Sequence, residues 1–282
     1  MITTAEPQCI VISGGGIKGC GMLGAIKYLD ELYDINTVHS FVGTSVGSII
    51  GYLLCIGYQP LEIIHHAFQM ELLQQLRSMS NAPEALFAQY GLLEFEPILE
   101  FLELLTLSKY GRLFTMETLR SELKKDFACM TYNFTKMRTE LLHHTTTPQL
   151  PCLKAIQMSS SIPYVFTQCI HDDQVYIDGG IVDNFPLRAA FKLHPDKGIV
   201  GIVSSGRNLN PSREISLVQL LTLTVHENQK RTIRKHRKRC RIIDIPLDQS
   251  QALDFSTDLP GMMEMFSQGY RECESVWKLL AE

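Results

Sequence analysis

Apolar residues along this chain follow two rhythms. Cys9 to Ser13 is a continuous run rich in β-branched residues, closed by Gly14-Gly15-Gly16. After Gly19 the apolar positions Met22, Leu23, Ile26, Leu29 and Leu32 return at helical spacing. The order is strand, glycine loop, helix. Val38 to Val42 repeats it, passing through Gly43-Thr44-Ser45-Val46-Gly47 into an apolar helix over Ser48 to Ile56. Two consecutive βα units predict a parallel sheet covered by helices.

From Pro60 to Phe127 the pattern is helical, punctuated by Pro83, Gly91 and Gly111, with an N-cap region at Thr115 to Thr118. The stretch is rich in Leu, Phe and Met and reads either as a helical layer on the sheet or as a cap that opens at a lipid surface. Strand patterns return over Met130 to His144 and Val175 to Ile177, then a helix over Asn184 to Leu193 and an apolar strand over Ile199 to Ser204. A helix from Glu214 to about His236, a strand over Arg241 to Ile245 and a helix from about Leu259 to Leu280 complete the chain. No linker or internal repeat interrupts this order, so one α/β domain over residues 1–282 is expected.

Ser40 to Leu61 is 22 residues without a charged side chain and carries Gly43, Gly47 and Gly51 at G-x-x-x-G spacing, as a membrane span would. The glycine-flanked Ser45 in its first half fits a buried strand, sharp turn and buried helix better.

Composition adds little beyond an ordinary folded protein, with 45% apolar and 20% charged residues. Charge is more informative. The net −4 hides a cluster: eight of the 26 lysines and arginines lie between Lys230 and Arg241, leaving 18 against 30 acidic residues elsewhere. Such a distribution argues against general nucleic-acid coating and directs any anionic partner to one patch. That patch (Lys230, Arg231, Arg234, Lys235, Arg237, Lys238, Arg239, Arg241) ends a helix, where cations suit the dipole. It also suits anionic headgroups or a nuclear-import-like or nucleic-acid contact.

The eight cysteines are scattered with no C-x-x-C pair, which favours free thiols over a disulfide framework or a zinc site. The N-terminus lacks a basic region followed by an apolar stretch, and neither a myristoylation glycine nor a prenylatable C-terminal cysteine is present. A cytoplasmic protein that meets membranes reversibly is the expectation.

Three segments carry chemistry. Gly43-Thr44-Ser45-Val46-Gly47 fits G-x-S-x-G, in which the glycines let a strand turn abruptly into a helix and expose the serine on a strained turn. An inert serine in a tight βα turn has the same spelling. Gly14-Gly15-Gly16-Ile17-Lys18-Gly19 presents consecutive backbone N–H groups at a helix start, suited to negative charge such as a tetrahedral oxyanion. It also matches G-x-G-x-x-G, but the second strand ends at Val42-Gly43 without the carboxylate a dinucleotide ribose needs. Lys18 is followed by Gly19, not the Ser or Thr of a Walker A loop. Val175 to Gly180 places Asp178 at a strand end with two glycines behind it, either as a base for Ser45 or as a plain Asp-Gly turn.

In this order the three segments resemble the patatin-like phospholipase family: G-G-G-x-K-G, then G-T-S-V-G, then D-G-G. Ser159 to Phe166 and Asn184-Phe185-Pro186 add to the likeness, which covers about residues 8 to 205. The resemblance implies a three-layer α/β/α sandwich on a mainly parallel sheet, and a calcium-independent hydrolase of phospholipid acyl esters. It implies Ser45 as nucleophile, Asp178 as base, the amides of Gly14, Gly15 and Gly16 as the oxyanion hole, and no catalytic histidine, metal or cofactor. Lys18 occupies the family's basic position, either helping the oxyanion or lying on the surface. Gly19, Gly43, Gly47, Gly179 and Gly180 support the turns. A Ser-Asp-His triad would instead need His194, His226 or His236, none of which follows a strand directly. The alternative from another class is a catalytically silent lipid- or nucleotide-binding protein that uses the glycine loop.

Overall fold

The structure, a computed structural model, describes residues 6–69, 93–195, 198–205, 217–247 and 257–281. Strand β1 (Cys9–Ile12) is buried at every position, as a central strand covered on both faces must be. Its side chains divide between two cores. Ile10 and Ile12 face one containing Met22, Ile26 and Phe41, while Cys9 and Val11 face a second containing Phe185, Leu187 and Ala190. This alternation makes the sheet the middle of three layers.

The first layer holds α1 (Gly19–Tyr33), α2 (Val46–Cys55), α3 (Pro60–Gln69), α4 (Glu96–Tyr110), α5 (Met116–Leu123) and α6 (Cys152–Ser160), with α10 (Leu259–Ala281) beside α1. The short α7 (Gly180–Asp183), α8 (Leu187–Leu193) and α9 (Leu217–His236) belong to the other side. Ser40 to Leu61, which has the composition of a membrane span, divides instead between β2 (Ser40–Thr44), α2 and the start of α3. Among the described residues no helix is long and apolar enough to cross a membrane.

Among the described residues the sheet has eight strands. β2 pairs parallel with β1 and with β3 (Asp126–Asn133), and β7 (Ile199–Val203) joins β1 to β8 (Arg241–Asp244) in the same sense. β4 (Arg138–His143), β5 (Cys169–His171) and β6 (Gln174–Asp178) are antiparallel additions.

Several boundaries differ from the sequence reading. The helical pattern from Pro60 stops at Leu123, where Lys124 turns to φ 57° and β3 starts two residues later; residues 70–92 of that stretch lie outside the described residues. The strand-like stretch Met130 to His144 belongs to a hairpin, β3–β4, that begins earlier, at Asp126. The helix expected from Asn184 starts at Leu187, because Pro186 has no N–H to continue a helix from α7. The Glu214 to Leu217 start of α9 lies partly outside the described residues. Helix α6 was not legible: its buried serines and glutamine break the apolar stripe.

Candidate active site

Ser45 sits between β2 and α2 with φ 55° and ψ −129°, a strained setting for any residue with a Cβ. The neighbouring glycines make the turn possible by close backbone approach. A Cβ on Gly43 would lie 2.3 Å from the Gly47 carbonyl, and one on Gly47 would lie 2.3 Å from that of Ile12. The turn is held from several directions. Ser48 Oγ donates to the Ser45 carbonyl (2.6 Å), and the Ser45 amide donates to Ser159 Oγ (3.0 Å), which in turn donates to the Met130 carbonyl (2.6 Å). Ser45 is thus fastened to β3 through a serine 114 positions away.

Asp178 reaches Ser45 by a route the sequence reading did not anticipate. β6 is antiparallel, so Asp178 is not on the carboxyl edge of a parallel strand. β2 pairs with β3 as far as Thr44 opposite Met130, and β6 takes up pairing at the next residue, with Thr131 opposite Asp178. β4 occupies the other edge of β3. β2 and β6 therefore meet end to end along one edge of β3, each presenting its last residues to the other. Thr44 Oγ1 also donates to the Asp183 carbonyl (3.0 Å), tying the end of β2 to the turn after β6.

The Asp178 carboxylate is 5% exposed. Its Oδ1 accepts from the Gly180 amide at 2.6 Å, and the Ser45 side chain stands near enough to hold its pKa down. Burial raises its pKa to about 6, and the nearby Ser45 side chain and the Gly180 amide offset only part of that rise. The carboxylate is accordingly more basic than an exposed aspartate.

The glycine loop lies against Ser45, since a Cβ on Gly14 would come within 3.1 Å of the Ser45 Cβ. Asn184 holds it: the Gly14 amide donates to the Asn184 carbonyl (3.0 Å), and Asn184 Nδ2 donates to the Gly14 carbonyl (3.1 Å). Gly14 therefore does not keep its amide for an oxyanion. The amides of Gly15 and Gly16 have no acceptor among the described residues. Gly16 adopts φ 56°, and the helical segment from Gly16 packs its Gly19 against Val46 at the head of α2. Two helix starts thus converge on Ser45, a favourable place for developing negative charge.

Lys18 is buried, at 2% exposed, which removes its surface role; its charge is felt by His226 on α9. Beside Ser45 a cavity of about 160 Å³ is walled by Leu23, Ile50, Ile63, Phe95 and Ile98. Helices α3 and α4 contribute to that wall, so the helical stretch after Pro60 helps form the cavity. Of the segment Pro163 to Phe166, Phe166 lines the cavity and packs on Phe95, whereas Tyr164 is exposed.

The histidines a triad would need are engaged elsewhere. His194 contacts Ser40 at the start of β2 (2.8 Å), His236 stacks on Phe191, and His226 is buried near the charges of Lys18 and Asp244. The basic cluster loses one member: Arg241 is buried over Trp277 (4.1 Å). The other seven are exposed, with Arg239 lying over Phe191 and Lys230 paired with Glu227. They precede β8 at the amino end of the parallel strands, the edge opposite Ser45. All eight cysteines are buried free thiols.

Asn184 and Ser159 are the site residues that sequence reasoning did not assign. Both stand in segments of the family likeness, but their partners are 170 and 114 positions away.

The model of the patatin-like phospholipases matches residues 10–191, and the chain belongs to that family. It is 32% identical over 191 residues to the probable lipid hydrolase 463L of Invertebrate iridescent virus 6, a match covering 67% of this chain and 65% of the viral protein. It is 28% identical over 210 residues to the uncharacterized protein R571 of Acanthamoeba polyphaga mimivirus, covering 74% of this chain and 69% of that one. The crystal structure of VipD from Legionella pneumophila superposes with a TM-score of 0.56 at 16% identity, covering 98% of this chain and 67% of VipD. The last likeness is one of fold.

Proposed function

We propose that the protein is a lipid acyl hydrolase of the phospholipase A type, calcium-independent, working through a Ser45–Asp178 dyad. The observation that carries this reading is the placement of Ser45 beside a buried carboxylate and an apolar cavity. A fatty-acyl chain in that cavity would bring its ester carbonyl to Ser45. Ser45 Oγ attacks the carbonyl carbon while its proton passes to Asp178. The amides of Gly15 and Gly16 hold the oxyanion, with the heads of two helices behind them. Collapse breaks the acyl–oxygen bond, and the departing lysolipid alkoxide takes the proton from Asp178. A water molecule then attacks acyl-Ser45, giving its proton to Asp178. The fatty acid leaves as Ser45 regains a proton. Nucleophile, base and oxyanion donors all come from the chain, so the proposed steps call for no calcium.

The direct test is fatty-acid release from phospholipid liposomes in excess chelator. Release that disappears in Ser45→Ala is expected. No release leaves the silent lipid-binding alternative, and release that persists in that variant contradicts Ser45 as the nucleophile.

The pH dependence is a second test. Asp178 must be ionised to accept a proton, and its pKa is about 6. The profile of kcat/KM should rise through pH 6 and level above it. An acidic limb near pH 4, the ordinary carboxylate range, contradicts the assignment.

Reversible surface association is our proposal for reaching an insoluble substrate, with the seven exposed cations of residues 230–239 supplying attraction. Because they lie on the edge opposite Ser45, they hold the protein at a surface without aligning the site. Reversal of Arg234, Lys235, Arg237 and Lys238 to Glu should lower co-sedimentation with anionic vesicles and remove its salt dependence. Turnover of a short soluble ester should stay unchanged. Equal sedimentation of both proteins at low and high salt reduces the cluster to a solvated helix end.

A further inference from the structure

At the amino edge of the sheet, remote from Ser45, three histidines gather around one carboxylate. Asp126 opens β3 opposite Ser40, five residues before the Thr131 that pairs with Asp178. At about 3.3 Å per residue that places it roughly 17 Å along the strand from the dyad. His143 closes β4 and His144 begins the loop beyond it, so the cluster straddles the mouth of the β3–β4 hairpin. The imidazoles of His143 and His144 lie with their centroids 4.1 Å apart.

We propose that Asp126, His143 and His144 form a transition-metal site, with Zn²⁺ as the cation whose ligand chemistry it fits. One ligand atom from each residue falls within 4.8 Å of the other two. Tetrahedral Zn²⁺ with bonds of about 2.0–2.2 Å to nitrogen and carboxylate oxygen sets neighbouring ligand atoms about 3.3 Å apart. His144 Nε2 is 3.3 Å from Asp126 Oδ1, which already meets that spacing. His143 Nε2 is 2.7 Å from the same oxygen, a hydrogen bond that opens by about 0.6 Å when a cation replaces its proton. The fourth position is left for water, since His144 and Asp126 are partly exposed while His143 is buried.

The surroundings supply the outer contacts that such ligands require. His143 Nδ1 lies 2.8 Å from Thr145 Oγ1 and accepts from the Thr145 amide at 3.3 Å, contacts that fix the orientation of the ring with Nε2 toward Asp126. The loop is braced by Thr146 and Thr147, whose amides donate to the His143 carbonyl (2.9 and 2.7 Å). His144 Nδ1 faces Glu117 Oε2 at 3.9 Å. The second oxygen of Asp126 faces His194 Nε2 at 3.5 Å, and that nitrogen also contacts Ser40 Oγ. The mixed imidazole and carboxylate set selects Zn²⁺ or a neighbouring transition ion over Ca²⁺, which prefers six to eight oxygens. In this position the cation ties the start of β3 to the end of β4. β3 is the strand along which β2 and β6 meet, so the clasp steadies the frame of the dyad without joining its chemistry.

The test uses tag-free, chelator-treated, dialysed full-length protein titrated with ZnCl₂ by calorimetry, and with Co²⁺ by visible absorption. Wild type should bind one equivalent of Zn²⁺ and gain thermal stability from it. His144→Ala should weaken binding by more than about 100-fold, and His194→Ala, which meets Asp126 only through the far carboxylate oxygen, by about 10- to 100-fold. His144→Cys should restore one equivalent and give the Co²⁺ complex a thiolate charge-transfer band, a signature no purely structural role for His144 produces. The proposal is overturned if wild type takes up no more Zn²⁺ than His144→Ala, or if the His144→Cys protein with Co²⁺ shows no thiolate band.

Discussion

Replacing Ser45 by alanine is expected to lower phospholipid turnover by at least about 10⁴-fold while leaving the fold intact. The substitution removes one oxygen and keeps the Cβ that already tolerates φ 55°. The turn itself is held by the Ser45 backbone, through Ser48 Oγ and Ser159 Oγ, so its shape does not depend on the missing hydroxyl. One consequence reaches Asp178: losing the Ser45 hydroxyl removes an influence that lowers its pKa, so the carboxyl should titrate higher still. Steady-state kinetics on liposomes and the thermal midpoint measured on the same preparation check both halves. A folded variant that keeps more than about 1% of wild-type turnover points to a different nucleophile.

Asp178→Asn should separate activity from stability in the opposite direction. Turnover should fall by about 10³- to 10⁴-fold, because asparagine cannot take the Ser45 proton. The protein should nevertheless become more stable near neutral pH. In the folded chain burial raises the Asp178 pKa from 3.8 to about 6, so the group favours the folded state most strongly at low pH. That contribution is complete below the unfolded pKa near 4 and is lost as pH rises through 6. A shift of this size corresponds to about 3 kcal/mol, an upper figure for what an uncharged isostere recovers at pH 7. Asparagine keeps an oxygen for the Gly180 amide and carries no charge. Unfolding midpoints at pH 7.5 should favour Asp178→Asn, and the gap should shrink toward pH 4. A variant that is active, or less stable than wild type at pH 7.5, contradicts the placement of a buried ionised base here.

Much of this was written locally in the chain. The run Cys9 to Ser13, its glycine loop and the following helix are legible because burial on both faces produces an unbroken apolar strand, and the turn after it needs glycine. The elbow around Ser45 is legible for the same reason, since no side chain fits at Gly43 or Gly47. What was not legible depends on contacts between distant segments. Nothing in Val175 to Asp178 says that the strand will run antiparallel and meet β2 end to end along β3. The Gly14 amide looks like an oxyanion donor until Asn184, 170 residues later, occupies it. Lys18 and Arg241 are polar in spelling and buried in place. The apolar cavity beside Ser45 draws its walls from several helices whose periodicity alone reads as ordinary core.

The central claim is that an acyl group passes through Ser45. The measurement closest to it is mass spectrometry of protein acid-quenched within the first turnovers on a phospholipid, followed by peptide mapping. The account predicts a mass increase equal to one fatty-acyl group, located on the peptide containing Ser45, absent from Ser45→Ala and lost with time as product accumulates. An acyl adduct on another residue, or product formed at full rate by Ser45→Ala, would contradict it.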